Sequence, residues 1–265
     1  MTTLEPEEAA VVIIEPNHRR RVREFMVLLE LCRHPLVAEQ VDRVDAYAAA
    51  LEEDGPGLAM ARNLVREGSE RALADFLRFY PDAKRRWAEE SMLKEYEGLD
   101  EPDPQLALRM LGLQDLPEGT LGREFVEFYR RNGIELPGVN PKTPAFFFAH
   151  DMNHVIAGYE PVGIDEVALS GMLLAADDSD ENWILMLTSM AAYEVGIFGS
   201  DDFEAKEGIF GRSGMAEVFA EALTRGAACS APFATADHWE MADWPLEEVR
   251  AHFGVPPREV VAPRD

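Results

Sequence analysis

Apolar residues recur along this chain at helical spacing, and no stretch alternates cleanly enough between apolar and polar residues to mark a strand. The pattern therefore predicts an all-α, multi-helix bundle. Asn17 can cap a first helix over 17–33, which His34-Pro35 ends. A second follows over 36–53 and is closed by DGPG at 54–57. An amphipathic stretch over 69–80 and another from Pro81 to 96 come next, and the acid- and proline-rich EGLDEPDP (97–104) reads as a linker. Thr120 is placed to cap a helix over 121–131, stopped by Asn132-Gly133. Further helices are expected over 143–157, 165–176, from an Asp178 or Ser179 cap to 195, over 214–228 and over 246–252. Residues 1–16 read as a loose leader in which VVII (11–14) is the one candidate for a short strand, and 199–208 as a loop or short helical turn. The expected organisation is a single helical domain over 17–255, with N-terminal helices over 17–96, followed by a tail over 256–265.

Charge narrows the partners. Fifty acidic against 25 basic residues leave a formal net charge of −25, a field that repels nucleic acid and disfavours unaided adhesion to an anionic bilayer. The two cysteines, Cys32 and Cys229, give no disulfide framework and suit a reducing compartment. The start, MTTLEPEEAA, lacks the basic and apolar regions of a signal peptide, and the longest apolar run (183–198) is too short to span a membrane and contains Glu194. The expectation is a soluble, cytoplasmic protein.

The chemistry concentrates at His150, Asp151 and His154, written HDMNH, with Glu166 eleven intervening residues further on. On a helix, with His150 at zero, His154 lies at ~40° and Asp151 at ~100°, so one face carries all three. Two imidazoles four residues apart can reach one metal ion. Glu166 would sit ~18 Å from His154 on a continuous helix, so the chain must reverse, and AGYEPVG (157–163) supplies Gly158, Pro161 and Gly163 for the purpose. Such pairs often make only hydrogen bonds or surface ion pairs. Here, however, apolar residues flank them on both sides, and buried ionisable groups need a partner or an ion. Zn²⁺ is the simplest occupant of mixed imidazole and carboxylate ligands, with Fe²⁺, Mn²⁺ or Mg²⁺ left open. His150, His154 and Glu166 are the expected direct ligands, and Asp151 is a fourth ligand or the orienter of one histidine. Asp165, ~100° around the helix from Glu166, is expected to matter much less. Leu169 and Leu173 share the face of Glu166, and Phe147 precedes His150 by three residues; these could line a slot for an apolar substrate. Glu194 interrupts an apolar stripe made by Trp183, Leu187, Met190 and Phe198. The simpler account lets it reach water at a helix end; the alternative makes it a partner orienting a ligating histidine, or a proton acceptor beside the metal.

His-Asp-x-x-His, eleven residues and then Glu resembles the signature of the ubiquinone (coenzyme Q) biosynthesis protein Coq-four family. GTLGREFVEFYRRNGI (119–134) is similar to that family's Gly-Thr-Leu-Gly helix, and Trp239-Glu240 with PLEEVRAHFGV (245–255) to its closing helix. The resemblance covers about 117–255. Asp165 departs from it, standing where the family has a small residue. The resemblance implies oxidative decarboxylation of a polyprenylated hydroxybenzoate, by a decarboxylating lyase or oxidoreductase peripheral to the inner membrane. It also implies a polyprenyl lipid or quinone precursor as partner, along with other quinone-biosynthesis enzymes. Within that chemistry Asp151 or Glu166, bound weakly or through water, could double as a catalytic base. The alternative is a non-catalytic, prenyl-lipid-binding scaffold that organises such enzymes around a structural metal. A metal phosphohydrolase is a weaker possibility resting on the His-Asp dipeptide alone. The oligomeric state is left open, a homodimer included.

Overall fold

The computed structural model describes residues 4–32, 35–74, 104–139, 147–197 and 206–261. Its helices are α1 (Pro6–Val12), α2 (Pro16–Leu31), α3 (Ala38–Ala50), α4 (Pro56–Glu67), α5 (Pro104–Gly112), α6 (Leu121–Asn132), α7 (Phe147–Ala157), α8 (Gly163–Ala176), α9 (Asp180–Tyr193), α10 (Met215–Ala228) and α11 (Leu246–Phe253). Short 3-10 turns occupy Leu113–Asp115 and Ile209–Gly211, and the β features among the described residues are two isolated bridges. The all-α expectation holds. The chain divides into two compact units: Met1–Pro81 with Trp183–Gly211, and Asp82–Asn182 with Arg212–Asp265.

In the first unit, proline decides where helices begin. Pro6, Pro16 and Pro56 each open a helix, because the missing N–H of proline is one that a first turn cannot use anyway. Two expectations are corrected here. Glu15, not Asn17, occupies the cap position of α2, and Val11 and Val12 end helix α1, exposed, rather than forming a strand. Helix α4 falls where the sequence pattern predicted none. Residues 69–74 are helical as expected; the rest of the 69–80 stretch, the 81–96 helix and most of the 97–104 linker lie outside the described residues. Leu31, Val41, Ala48, Leu51, Leu58 and Met60 form the core with Met186, Leu187 and Met190 of α9, all at most 2% exposed. Arg19 donates to the carbonyls of Ala10, Ile13 and Leu51, which joins the end of α1 to the end of α3. Arg23 pairs with Glu24 at 2.7 Å inside this unit and donates to the Asp54 carbonyl.

In the second unit, the start of α6 is fixed by chain far downstream. Thr120 stands at the cap position, yet its hydroxyl donates to the Pro117 carbonyl instead of capping. The free N–H groups of Leu121 and Gly122 donate to the carbonyls of Trp244 and Ala242 at 2.9 and 2.8 Å. Gly133, in the left-handed region at φ 67°, ends α6 as expected. Helices α8 and α10 lie close enough that a Cβ on Gly226 would stand 2.1 Å from the Met172 carbonyl oxygen. Ser179 accepts from the Asn182 N–H at 3.4 Å at the start of α9, in line with its expected capping role. Among the described residues, no helix is long and apolar enough to cross a membrane.

Candidate metal centre

Helix α7 is apolar enough to be almost wholly buried. Phe148, Met152 and Ile156, each 0% exposed and four residues apart, anchor it in the core. That anchoring turns His150 and His154 to another face together. The helix stops at Gly158, whose φ of 77° lets the Tyr159 N–H reach back to the His154 carbonyl at 3.0 Å. The chain then reverses through 159–162, and α8 starts at Gly163, two residues before the expected Asp165. AGYEPVG therefore makes the reversal its composition predicts, and Glu166 returns to the histidines.

The distances sort the four motif residues. Glu166 Oε2 lies 3.3 Å from His154 Nε2 and 3.6 Å from His150 Nε2. The opposite nitrogen of each ring is engaged elsewhere. His150 Nδ1 is 2.8 Å from Asp151 Oδ1, and His154 Nδ1 is 3.3 Å from the Tyr159 carbonyl oxygen. A carboxylate and a carbonyl only accept, so both rings carry their proton on Nδ1 and present Nε2 toward Glu166. The second Asp151 oxygen, Oδ2, accepts from the Tyr129 hydroxyl. His154 Nε2 is buried without a hydrogen-bond partner. Its 3.3 Å approach to Glu166 is near enough for an ion pair but not aligned for a hydrogen bond. A buried ring nitrogen left over beside a carboxylate is what a site built for a cation presents. Candidate ligand atoms of His150, Asp151 and His154 also lie within 4.8 Å of one another, so those three are a group that could hold a metal ion.

Charge agrees with this picture. Burial favours the neutral ring of His150, but its hydrogen bond to Asp151 and the charges of Glu166 and Asp151 outweigh burial and raise its pKa. Burial likewise pushes Glu166 upward, and the neighbouring His154 and His150 more than reverse that, lowering its pKa. The cluster thus favours added positive charge, whether carried by protons or by a metal cation.

The other expected site residues fall in different places. Phe147 is partly exposed and lies edge-on to His150, with ring centroids 6.2 Å apart. Leu169 and Leu173 are buried at 0% and 1% exposure. Glu194 lies in the other unit and is only 3% exposed, so the expectation that it reaches water is corrected; its Oε2 accepts from the Phe210 N–H at 2.9 Å. Asp165 is no bystander. Its Oδ2 accepts from the Glu160 N–H, and both of its oxygens accept from Arg258. Sequence reasoning also passed over Tyr129, and Phe128, which stacks on His154 at 5.6 Å. A tyrosine among Leu121, Phe125 and Phe128 was the available signal, because a hydroxyl on an apolar face must find a buried partner.

Arginine holds the end of α7. Arg250 donates to the carbonyls of Val155 and Ile156, Arg225 to Ala157, and Arg258 to Gly158. Four consecutive carbonyls at a helix C-terminus, which have no helical partners, are satisfied by cations that also suit the negative end of the helix dipole.

Comparisons with known proteins leave the family open. No protein-family model and no curated protein matches the chain. Among solved structures it is similar to a protein from Nostoc punctiforme PCC 73102 whose name assigns it, provisionally, to ubiquinone biosynthesis. The likeness runs at 16% identity over 89% of this chain and 99% of that chain, with a TM-score of 0.41. At that distance it decides neither family nor chemistry.

Proposed function

We propose that this chain is a metal-dependent protein of prenylquinone biosynthesis that carries out oxidative decarboxylation of a polyprenylated aromatic ring acid. His150 and His154, through Nε2, and Glu166, through Oε2, hold the metal, with Zn²⁺ the first candidate. The observation that carries the reading is the spacing of these atoms. A tetrahedral zinc with bonds of about 2.0–2.2 Å keeps its ligand atoms about 3.3–3.6 Å apart. The 3.3 and 3.6 Å separations found around Glu166 fit that value. The 2.8 Å between His150 Nδ1 and Asp151 Oδ1 is instead a hydrogen-bond length. Asp151 is therefore the orienter: Tyr129 holds Asp151, Asp151 holds His150, and the Tyr159 carbonyl holds His154.

Three ligands leave a coordination position for substrate, whereas four protein ligands would favour a structural metal and the scaffold reading. Both oxygens of Asp151 are in use, which favours the first. A metal so held would supply a Lewis acid that offsets charge on a carboxylate or phenolate oxygen. Because Zn²⁺ has no redox chemistry, replacing the ring carboxyl by hydroxyl takes dioxygen and water as co-reactants, ArCOOH + O2 + H2O → ArOH + CO2 + H2O2, with dioxygen the electron acceptor. Asp151 and Glu166 are the carboxylates of the cluster that could move a proton, Phe147 offers an apolar ring beside His150, and Leu169 and Leu173 are buried on the helix that carries Glu166. The choice of a prenylated ring rests on the resemblance of the HDMNH-to-Glu166 motif.

Metal analysis of the purified protein, combined with solvent extraction and mass spectrometry of bound lipid, tests the reading. The expected result is close to one divalent metal per chain, lost when His150 and His154 are both changed to Ala. In cells that depend on this protein for a quinone, Glu166→Gln should abolish production with protein abundance nearly normal. Well-folded native protein that contains no metal and takes up none would overturn the assignment.

A further inference from the structure

Residues 256–260, just past α11, are bonded to three parts of the second unit. The Pro256 carbonyl accepts from Arg225, and the N–H groups of Glu259 and Val260 donate to Glu221 Oε1. Between these contacts Arg258 turns inward. Its Nη1 and Nη2 take Asp165 Oδ2 and Oδ1 at 2.8 and 2.7 Å, a two-pronged guanidinium–carboxylate pair whose side chains are 11% and 7% exposed. Nη1 also donates to the Gly158 carbonyl at 2.9 Å, and Nε to the Val260 carbonyl. The guanidinium lies 4.5 Å from the centre of the Tyr159 ring, and Arg225 stands 5.2 Å from the same ring.

The places Arg258 touches adjoin both arms of the candidate metal centre. Asp165 immediately precedes Glu166, and its Oδ2 also accepts from Glu160, so the turn and the first turn of α8 share one carboxylate. Tyr159, under the guanidinium, provides the carbonyl that fixes the His154 ring. One planar cation thus sets the reversal from both sides: where the carbonyl for His154 lies, and where the backbone carrying Glu166 begins.

We infer that Arg258 is a positioning residue for the metal centre, acting through Asp165 on Glu166 and through Gly158 and Tyr159 on His154. The inference rests on the metal reading above and adds to it an element outside the HDMNH-to-Glu166 motif. A lysine cannot replace it, because a single ammonium cannot grip both Asp165 oxygens in one plane while reaching the Gly158 carbonyl.

The test uses the full chain as wild type, Arg258→Ala, Arg258→Lys, Asp165→Asn and, as a control in the other unit, Arg66→Ala. Zn²⁺ affinity is measured by competition with a chelator, the Co²⁺-loaded proteins are compared by visible absorption, and folding is followed by urea unfolding. Arg258→Ala and Asp165→Asn should each weaken Zn²⁺ binding ~10- to 100-fold, as loss of a group supporting the ligands does, and should alter the Co²⁺ spectrum. Arg258→Lys, which keeps the charge and is the variant expected to stay folded, should show the same spectral change with a smaller loss of affinity. Arg66→Ala should leave Zn²⁺ affinity and the Co²⁺ spectrum unchanged. If Arg258→Lys and Arg258→Ala stay folded and bind Zn²⁺ as wild type does, with an unchanged Co²⁺ spectrum, the positioning role is wrong and the metal centre stands. If wild type itself binds neither ion, the metal reading fails and the inference with it.

Discussion

Replacing Tyr129 by Phe removes one oxygen and leaves the ring in place. That ring is 1% exposed and packs 4.8 Å from Phe125 and 5.9 Å from Phe128, contacts a phenylalanine keeps. What disappears is the hydroxyl that donates to Asp151 Oδ2. A hydrogen bond to a charged group contributes about 1.5–3 kcal/mol, and a buried carboxylate oxygen left bare forfeits most of that. For a domain of 150–250 residues each kcal/mol moves the melting point by roughly 2–4 °C, so Y129F should melt roughly 3–12 °C lower. The same loss frees Asp151 to turn and releases the His150 ring, so divalent-metal affinity should fall ~10-fold or more. Calorimetry gives the first quantity and chelator competition the second. Tyr47→Phe is the control: its hydroxyl donates to the Leu4 carbonyl at an exposed site in the other unit, and its loss should leave metal affinity alone. Wild-type melting and wild-type metal affinity in Y129F would refute the chain of support from Tyr129 through Asp151 to His150.

Other predictions follow from packing and charge. Gly226→Ala sets a methyl group against the Met172 carbonyl oxygen, so α8 and α10 must separate; a loss of ~2–3 kcal/mol in urea unfolding is expected, and a wild-type midpoint would mean the helices slide freely. Arg23→Ala leaves Glu24 buried without that cation, and urea unfolding should show a cost of ~3–5 kcal/mol, more than Arg66→Ala at the surface. Burial, aided by the charge of Glu194, pushes the Cys32 thiol up to about 11, so at pH 8 it should alkylate ~100-fold more slowly than a free cysteine. Glu194→Gln removes the charge part of that shift and should speed alkylation; an unchanged rate would place Glu194 away from the thiol.

What the sequence made legible, and what it hid, divides by distance along the chain. The HDMNH helix, the reversal at AGYEPVG and the return of Glu166 all lie within one short segment, where helical geometry and glycine chemistry act locally. The starts of α2 and α4 are equally local, set by Pro16 and Pro56, but Asn17 and the turn-forming DGPG offer competing local signals at the same places. Asp165 and Arg258 are a different matter. They lie 93 residues apart, and neither has a neighbour in sequence that announces the other. The Trp244 and Ala242 carbonyls that receive the first N–H groups of α6 were hidden for the same reason, and Thr120, at the position a cap takes, pointed to a local solution that the fold does not use.

The arginine fastenings of α7 carry a consequence for how the molecule is made. The hairpin of α7 and α8 leaves the ribosome ahead of its fastenings: Arg225, Arg250 and Arg258 emerge 68 to 100 residues after the carbonyls they hold. Until then the helix end has only water for its free carbonyls, and Asp165 lacks its cation. Contacts of such long sequence separation must first bear the entropy of closing a large loop, which slows their formation. The nascent hairpin can therefore fold as a helix pair well before its ligands are held still. On the metal reading proposed above, secure retention of the ion is a property of the finished second unit, and a chain interrupted before residue 258 should leave the ribosome with its histidines in place and its grip incomplete.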